Sequence, residues 1–280
     1  MPGKVFFVTG TSTGFGHYLV KHALARGDYA VATARNAAKL TGFEGATDAN
    51  FLPVSLDVTD TKSIDAAFKA ALDKFKRIDV VVNNAGFGLS GPFETYTDEQ
   101  IRQQMEVNFF GLVNCTRRAL EVMRGQKTGG VIQQVTSIGG LNGVPTFSVY
   151  CASKFAVEGF TEALSKELKP EWGIKLTLIE PGGFRTSWSG DNMIFGDKNV
   201  PAYDHLDARQ LMAKRHGTQV GDAAKAAVQM YELALEQEPP LRIVLGSDAH
   251  KTLSDRLEAQ QKLVKDNVKR SLATDYEEGK

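Results

Sequence analysis

The chain of 280 residues is long enough to bury a sizeable core within one large domain. Its 33 basic and 33 acidic side chains cancel, so no net field marks nucleic acid or a membrane surface as a partner. Two cysteines, Cys115 and Cys151, are too few for a disulfide framework or a cysteine zinc site, and the five histidines lack metal-ligand spacing.

In chain order, short β-branched and apolar runs alternate with longer helical patterns. The runs predict strands over 4–9, 29–34, 51–56, 78–83, 131–136, 174–180 and 241–244. Helical patterns fall near 15–26, 62–76, 98–124, 149–170, 205–215, 221–236 and 247–270. Such alternation builds βαβ units, and right-handed crossovers wind them into an α/β, Rossmann-type doubly wound parallel sheet of about seven strands. Helices then cover both faces, giving a three-layer α/β/α architecture. A single domain is expected over 1–246, followed by a helical extension over 247–280. Within the domain, 182–215 is read as a substrate lid: its first part is long, glycine-rich and irregular, yet carries Phe184, Trp188, Met193, Ile194 and Phe195. The opening MPGKVFFVTG has an apolar run of strand length only, and the closing DYEEGK matches no retention or peroxisomal address. A cytoplasmic protein with no membrane partner is expected.

The first strand runs directly into Thr9-Gly10-Thr11-Ser12-Thr13-Gly14-Phe15-Gly16, and a helical pattern follows. Glycines there allow a tight turn and close backbone approach to a pyrophosphate, while the helix N-terminus supplies free N–H groups and positive potential. An acidic residue closing the second strand would take the adenosine ribose hydroxyls of NAD. Here the strand closes Ala34-Arg35-Asn36, and Arg35 suits the 2′-phosphate of NADP instead. NADP(H) is the expected cofactor.

Tyr150 and Lys154 stand four residues apart in a helical pattern, on one face. By itself this spacing is ordinary. The order TGTSTGFG at 9–16, Asp57-Val58, NNAG at 83–86, Asn108, Ser137, Tyr150-Cys-Ala-Ser-Lys154 and PGGFRT at 181–186 is not. Together these motifs resemble the short-chain dehydrogenase/reductase family in its compact single-domain branch, over about residues 3–245. The stretch VTSIGGLNGVPTFSVYCASKFAVEGF is further similar to its hydroxysteroid and retinol dehydrogenase members.

The resemblance implies roles position by position. Gly10, Gly14 and Gly16, with Thr11, Ser12 and Phe15 between them, would line the pyrophosphate turn. Asp57 would accept from the adenine amino group beside Val58, and Asn83, Asn84, Ala85 and Gly86 would border the adenosine side. Pro181, Gly182 and Thr186 would border the nicotinamide. Tyr150 would be the general acid and base, with a pKa lowered by Lys154, which would also bind the nicotinamide ribose. Ser137 would orient the substrate oxygen, and Asn108 would hold a water linking Lys154 to solvent.

Phe87, Leu89, Phe93, Leu141, Phe147, Phe184, Trp188, Met193 and Phe195 come from segments expected around the nicotinamide, which suggests a hydrophobic ketone or secondary alcohol as substrate. The resemblance also implies a homodimer or homotetramer through the helices at 98–124 and 149–170. Two other readings stay open: a non-catalytic NADP-binding sensor, which has no need of an intact Ser–Tyr–Lys set, and a sugar-nucleotide epimerase, whose added substrate domain this chain lacks room for.

Overall fold

The computed structural model describes residues 3–190 and 192–276. Nine strands occur in it: β1 (Val5–Val8), β2 (Tyr29–Ala34), β3 (Phe51–Ser55), β4 (Val80–Asn83), β5 (Gly88–Ser90), β6 (Gly130–Val135), β7 (Ile174–Pro181), β8 (Met193–Phe195) and β9 (Arg242–Leu245). All but β5 and β8 form one parallel sheet in the order β3-β2-β1-β4-β6-β7-β9. The helices are α1 (Gly14–Ala25), α2 (Thr61–Phe75), α3 (Asp98–Met105), α4 (Gly111–Gln126), α5 (Ser148–Glu167), α6 (Ala208–Arg215), α7 (Ala223–Leu235), α8 (Ser247–Asp266) and α9 (Val268–Leu272).

The two-residue period of a strand explains the layers. On β1, Phe6 and Val8 pack with α1 and α7, while Val5 and Phe7 pack with α2 and α4 on the other face. Val80 and Val82 of β4 divide from Val81 in the same way. Strands buried on both faces therefore read as unbroken apolar runs. Pro53, inside β3, is tolerated because β3 is an edge strand paired with β2 alone.

The strand order reverses between β1 and β4, which opens a crevice at their C-terminal ends. The turns that follow both strands line a cavity there.

The structure differs from the sequence expectation in three elements. The expected helix over 98–124 is two helices joined by a π-helical stretch, Glu106–Phe110. The lid contains β8, which pairs in parallel with β5 as a small second sheet, and its helix α6 begins only at Ala208, where the Asp207 carboxylate accepts from the Gln210 N–H. The extension is α8 followed by the short α9, and α8 is tied to the crevice by the Asp248 carboxylate, which accepts from the Gly183 N–H at 2.7 Å. Residues 277–280 of the extension, Asp191 of the lid, and Met1 and Pro2 lie outside the described residues. No helix of the described residues is long and apolar enough to cross a membrane, and they hold no metal-ligating cluster of His, Cys, Asp and Glu.

Candidate active site

At the phosphate end, two turns are stitched together. The Thr9 hydroxyl accepts from the Asn84 and Ala85 N–H groups, both at 2.9 Å, and the Asn84 side-chain amide donates to the Thr9 and Gly10 carbonyls at 2.9 Å. Gly10 has φ +70°, and a Cβ there would lie 2.8 Å from the Ala85 Cα. Thr13, at the N-cap of α1, makes no side-chain capping bond, so no hydroxyl competes for the leading N–H groups of the helix. A glycine turn that admits no side chain, followed by an uncapped helix start, fits a pyrophosphate.

A cavity of about 420 Å³ extends from this turn in both directions. One arm reaches Arg35, Asp57 and Val58, and the other reaches Ser137, Tyr150, Lys154 and Trp188. Of the residues expected in cofactor or substrate contact, Gly10, Ser12, Gly14, Phe15, Asn84, Ala85, Gly86, Phe147, Pro181, Gly182, Phe184 and Thr186 also line it. The Asp57 carboxylate takes the Thr59 N–H and hydroxyl on one oxygen, at 2.9 and 2.7 Å. Arg35 is exposed, and no carboxylate closes β2 beside it. The residues present therefore fit an adenine dinucleotide.

Several expected residues do not reach the cavity. Thr11 is fully buried, and its hydroxyl donates to the Thr33 carbonyl at 3.1 Å, bracing β2. Gly16 is packed beneath the turn, where a Cβ would lie 2.7 Å from the Asn84 amide nitrogen. Asn83 points into the scaffold and donates to Thr116 and Gln134. Leu141 falls one residue beyond the turn Ile138–Gly140, which presents Ile138 and Gly139 instead. Leu89, Phe93, Met193 and Phe195 are also absent from the wall, and Phe93 is 58 % exposed. Phe184 stands at the phosphate end, edge-on to Phe15 with ring centroids 5.1 Å apart.

Asn108 sits in the π-helical stretch and is 1 % exposed. Its side chain accepts from the Phe87 N–H at 3.1 Å and donates to the Phe87 carbonyl at 3.0 Å. The helix irregularity brings it over Gly86, where a Cβ would meet its Oδ1 at 3.1 Å and the Lys154 Nζ at 3.9 Å. Asn108 braces the cavity floor rather than lining it.

At the reacting end, Tyr150 and Lys154 share one face of α5, as the spacing requires. Both are buried, at 8 and 6 % exposure. Lys154 Nζ donates to the Val135 carbonyl at 2.9 Å and stands 5.9 Å from the Tyr150 ring centroid. Burial pushes the Tyr150 phenol up to about 12, against the pull of the facing Ser137 hydroxyl and of Arg215. Burial also pushes Lys154 down to about 8, which Glu158 partly counters. The expected net lowering of the Tyr150 pKa is thus not found in the free chain, where desolvation dominates.

Trp188 closes the far wall, its ring centroid 5.8 Å from Phe147 and 5.1 Å from Tyr150. Val144, Ile194, Arg215 and Gln219 complete this end; of these, sequence singled out Ile194 alone, as part of the lid. Arg215 ends a polar helix and carries no local motif; only the packing of the lid brings it near Tyr150.

The pattern of the short chain dehydrogenase family matches residues 4–193. An oxidoreductase of Schizosaccharomyces pombe is 40% identical over 260 residues, covering 90% of this chain and 87% of that protein. A 3-ketodihydrosphingosine reductase of Bacteroides thetaiotaomicron is 32% identical over 249 residues, covering 88% of this chain and 89% of its own length. Among solved structures, a short-chain dehydrogenase from Streptomyces avermitilis matches with a TM-score of 0.88 at 36% identity, covering 98% of this chain and 100% of that one.

Proposed function

Because the chain belongs to the short-chain dehydrogenase family and is an oxidoreductase of it, we propose that it interconverts a hydrophobic ketone and its secondary alcohol with NADP(H). The observation that carries this reading is the meeting of Ser137, Tyr150 and Lys154 under an apolar wall, in the same cavity as the glycine turn and Arg35. When bound, the nicotinamide supplies or receives the hydride.

The chain's own residues handle the proton. With its pKa pushed up to about 12, the Tyr150 phenol is protonated at neutral pH, which is the form a carbonyl oxygen needs as donor. Ser137, against the phenol, holds the substrate oxygen beside it. Lys154 supplies a nearby positive charge that stabilises the phenolate left behind when the proton transfers. Asn108 fixes the Phe87 backbone and the floor over which Lys154 extends. Arg35 takes the 2′-phosphate, Asp57 the adenine edge, and the Gly10–Gly14 turn with the start of α1 the pyrophosphate.

Phe147 and Trp188 select an apolar substrate, and similarity to a 3-ketodihydrosphingosine reductase supports a ketone with a hydrocarbon body. Exposed Phe110 and Phe155, beside α4 and on α5, support a homodimer or homotetramer through these helices. The test is a panel of hydrophobic ketones and alcohols followed by nicotinamide absorbance, with NADPH and NADH in parallel. Turnover confined to apolar ketones with NADPH is expected. No turnover with any of them, despite tight NADPH binding, would favour the sensor reading.

A further inference from the structure

The face of α5 that carries Tyr150 and Lys154 continues one more turn to Glu158. Glu158 is 5 % exposed, and Glu180 of β7, against it, is 0 % exposed. Arg242 of β9 reaches the pair: its Nε lies 3.3 Å from Glu158 and 3.6 Å from Glu180, while its terminal nitrogen donates to Glu162 at 2.8 Å. One guanidinium thus faces three carboxylates. Two carboxyls touching in a site closed to water do not both ionise, so they hold a proton between them. The free oxygens agree: Glu158 Oε1 and both Glu180 oxygens lack a hydrogen-bond partner among the described residues.

A buried like-charge pair costs stability, and apolar side chains of similar size would pack there at less cost. What the cluster does have is position, one helical turn behind Lys154. The groups facing Glu158 are Lys154 and Glu162 from α5, Glu180 from β7 and Arg242 from β9, with the uncharged Thr136 hydroxyl completing the set. Arg242 donates to both Glu158 and Glu162 and is thus shared among three carboxylates. Lys154 has no carboxylate within ion-pair distance among the described residues and depends on charge slightly farther off.

We propose that Glu158 is a positioning residue for Lys154: with the shared proton resting on Glu180 and Arg242 balancing the cluster, Glu158 stays a carboxylate and supplies the buried countercharge that keeps Lys154 protonated. Burial raises both carboxyls, Glu180 to about 8, while the Thr136 hydroxyl, Arg242 and the bond from a protonated Glu180 draw Glu158 back down. Lys154, pushed down to about 8, titrates where a neighbouring charge has most effect on its occupancy. The pH range over which the site works is then set behind the catalytic helix face, not only within the cavity.

This rests on the proposed Tyr150–Lys154 chemistry for its kinetic arm only. The Lys154 ammonium is titrated directly through lysine 13Cε NMR of the full chain, its resonance assigned with Lys154→Met. The alkaline limb of kcat/KM is recorded alongside. Glu158→Gln, isosteric but uncharged, is expected to lower both midpoints by more than about 0.5 pH unit. Glu158→Asp, which keeps the charge but not the shape, is expected to restore most of that fall. Should Glu158→Gln fail to fold, Glu158→Leu carries the same test, since an apolar replacement relieves the buried cluster. A Lys154 midpoint unmoved by loss of the charge, or lowered equally by Glu158→Asp, overturns the proposal. If no ketone is turned over yet the NMR midpoints separate as stated, the dehydrogenase reading fails and this one stands.

Discussion

Replacing Arg35 by alanine isolates the basis for NADP selection. The side chain follows β2, is exposed, and lines the adenosine arm of the cavity. Truncation leaves no buried group unpaired, so stability should move by less than about 0.5 kcal/mol. A charge-assisted hydrogen bond to a phosphate is worth about 1.5–3 kcal/mol, and solvent at an exposed site trims it to about 1–2 kcal/mol. NADPH affinity should therefore fall about 5- to 30-fold. NADH lacks the 2′-phosphate, and its affinity should change by less than about twofold. Calorimetric titration of both cofactors against both proteins, with a melting curve as control, decides it. Equal losses for the two cofactors, or none for NADPH, would refute the role given to Arg35.

Gly10→Ala forces a side chain onto a residue at φ +70° and against the Ala85 backbone; a loss of at least about 1–2 kcal/mol in urea unfolding and loss of both cofactors in the same titrations are expected. Asn108→Leu leaves the Phe87 N–H unpaired in a part-buried site, while Gln104 still donates to the Phe87 carbonyl, so about 1–3 kcal/mol of stability should be lost on chemical denaturation. Lys154, held near 8 in the folded chain against an ordinary 10.5, binds fewer protons than in the unfolded chain between those values. Its contribution to stability therefore rises with pH there, by up to about 2 kcal/mol between pH 8 and 9.5. The buried thiols Cys115 and Cys151 work in the opposite sense there, so urea unfolding should show the parent protein gaining on Lys154→Met by that amount across the range.

The sheet was legible because each strand is an apolar run bounded by turn residues, and two-sided burial keeps the run unbroken. Strands β5 and β8 were not, since Gly88–Ser90 and Met193–Phe195 are too short to carry a period. The π-helical stretch at Glu106–Phe110 left no mark either, because Val107, Phe109 and Phe110 fit an ordinary helix pattern as well. Within the site, residues on contiguous motifs were found: Gly10, Ser137, Tyr150 and Lys154 all meet in one cavity. What misled was side-chain direction within a motif. Thr11 and Asn83 turn into the scaffold, and Leu141 misses the wall by one residue of a tight turn. Arg215 and the Glu158–Glu180–Arg242 cluster went unread because tertiary packing alone assembles them.

The central claim, that Tyr150 carries the proton, is tested by Tyr150→Phe in single-turnover reduction of a ketone that the parent protein reduces. Removing one hydroxyl from a ring held by Phe147 and Trp188 leaves the packing in place. The rate should fall about 10²- to 10⁴-fold, while NADPH affinity and melting temperature stay at parent values. Turnover within a few-fold of the parent protein, with NADPH bound as before, would contradict the account.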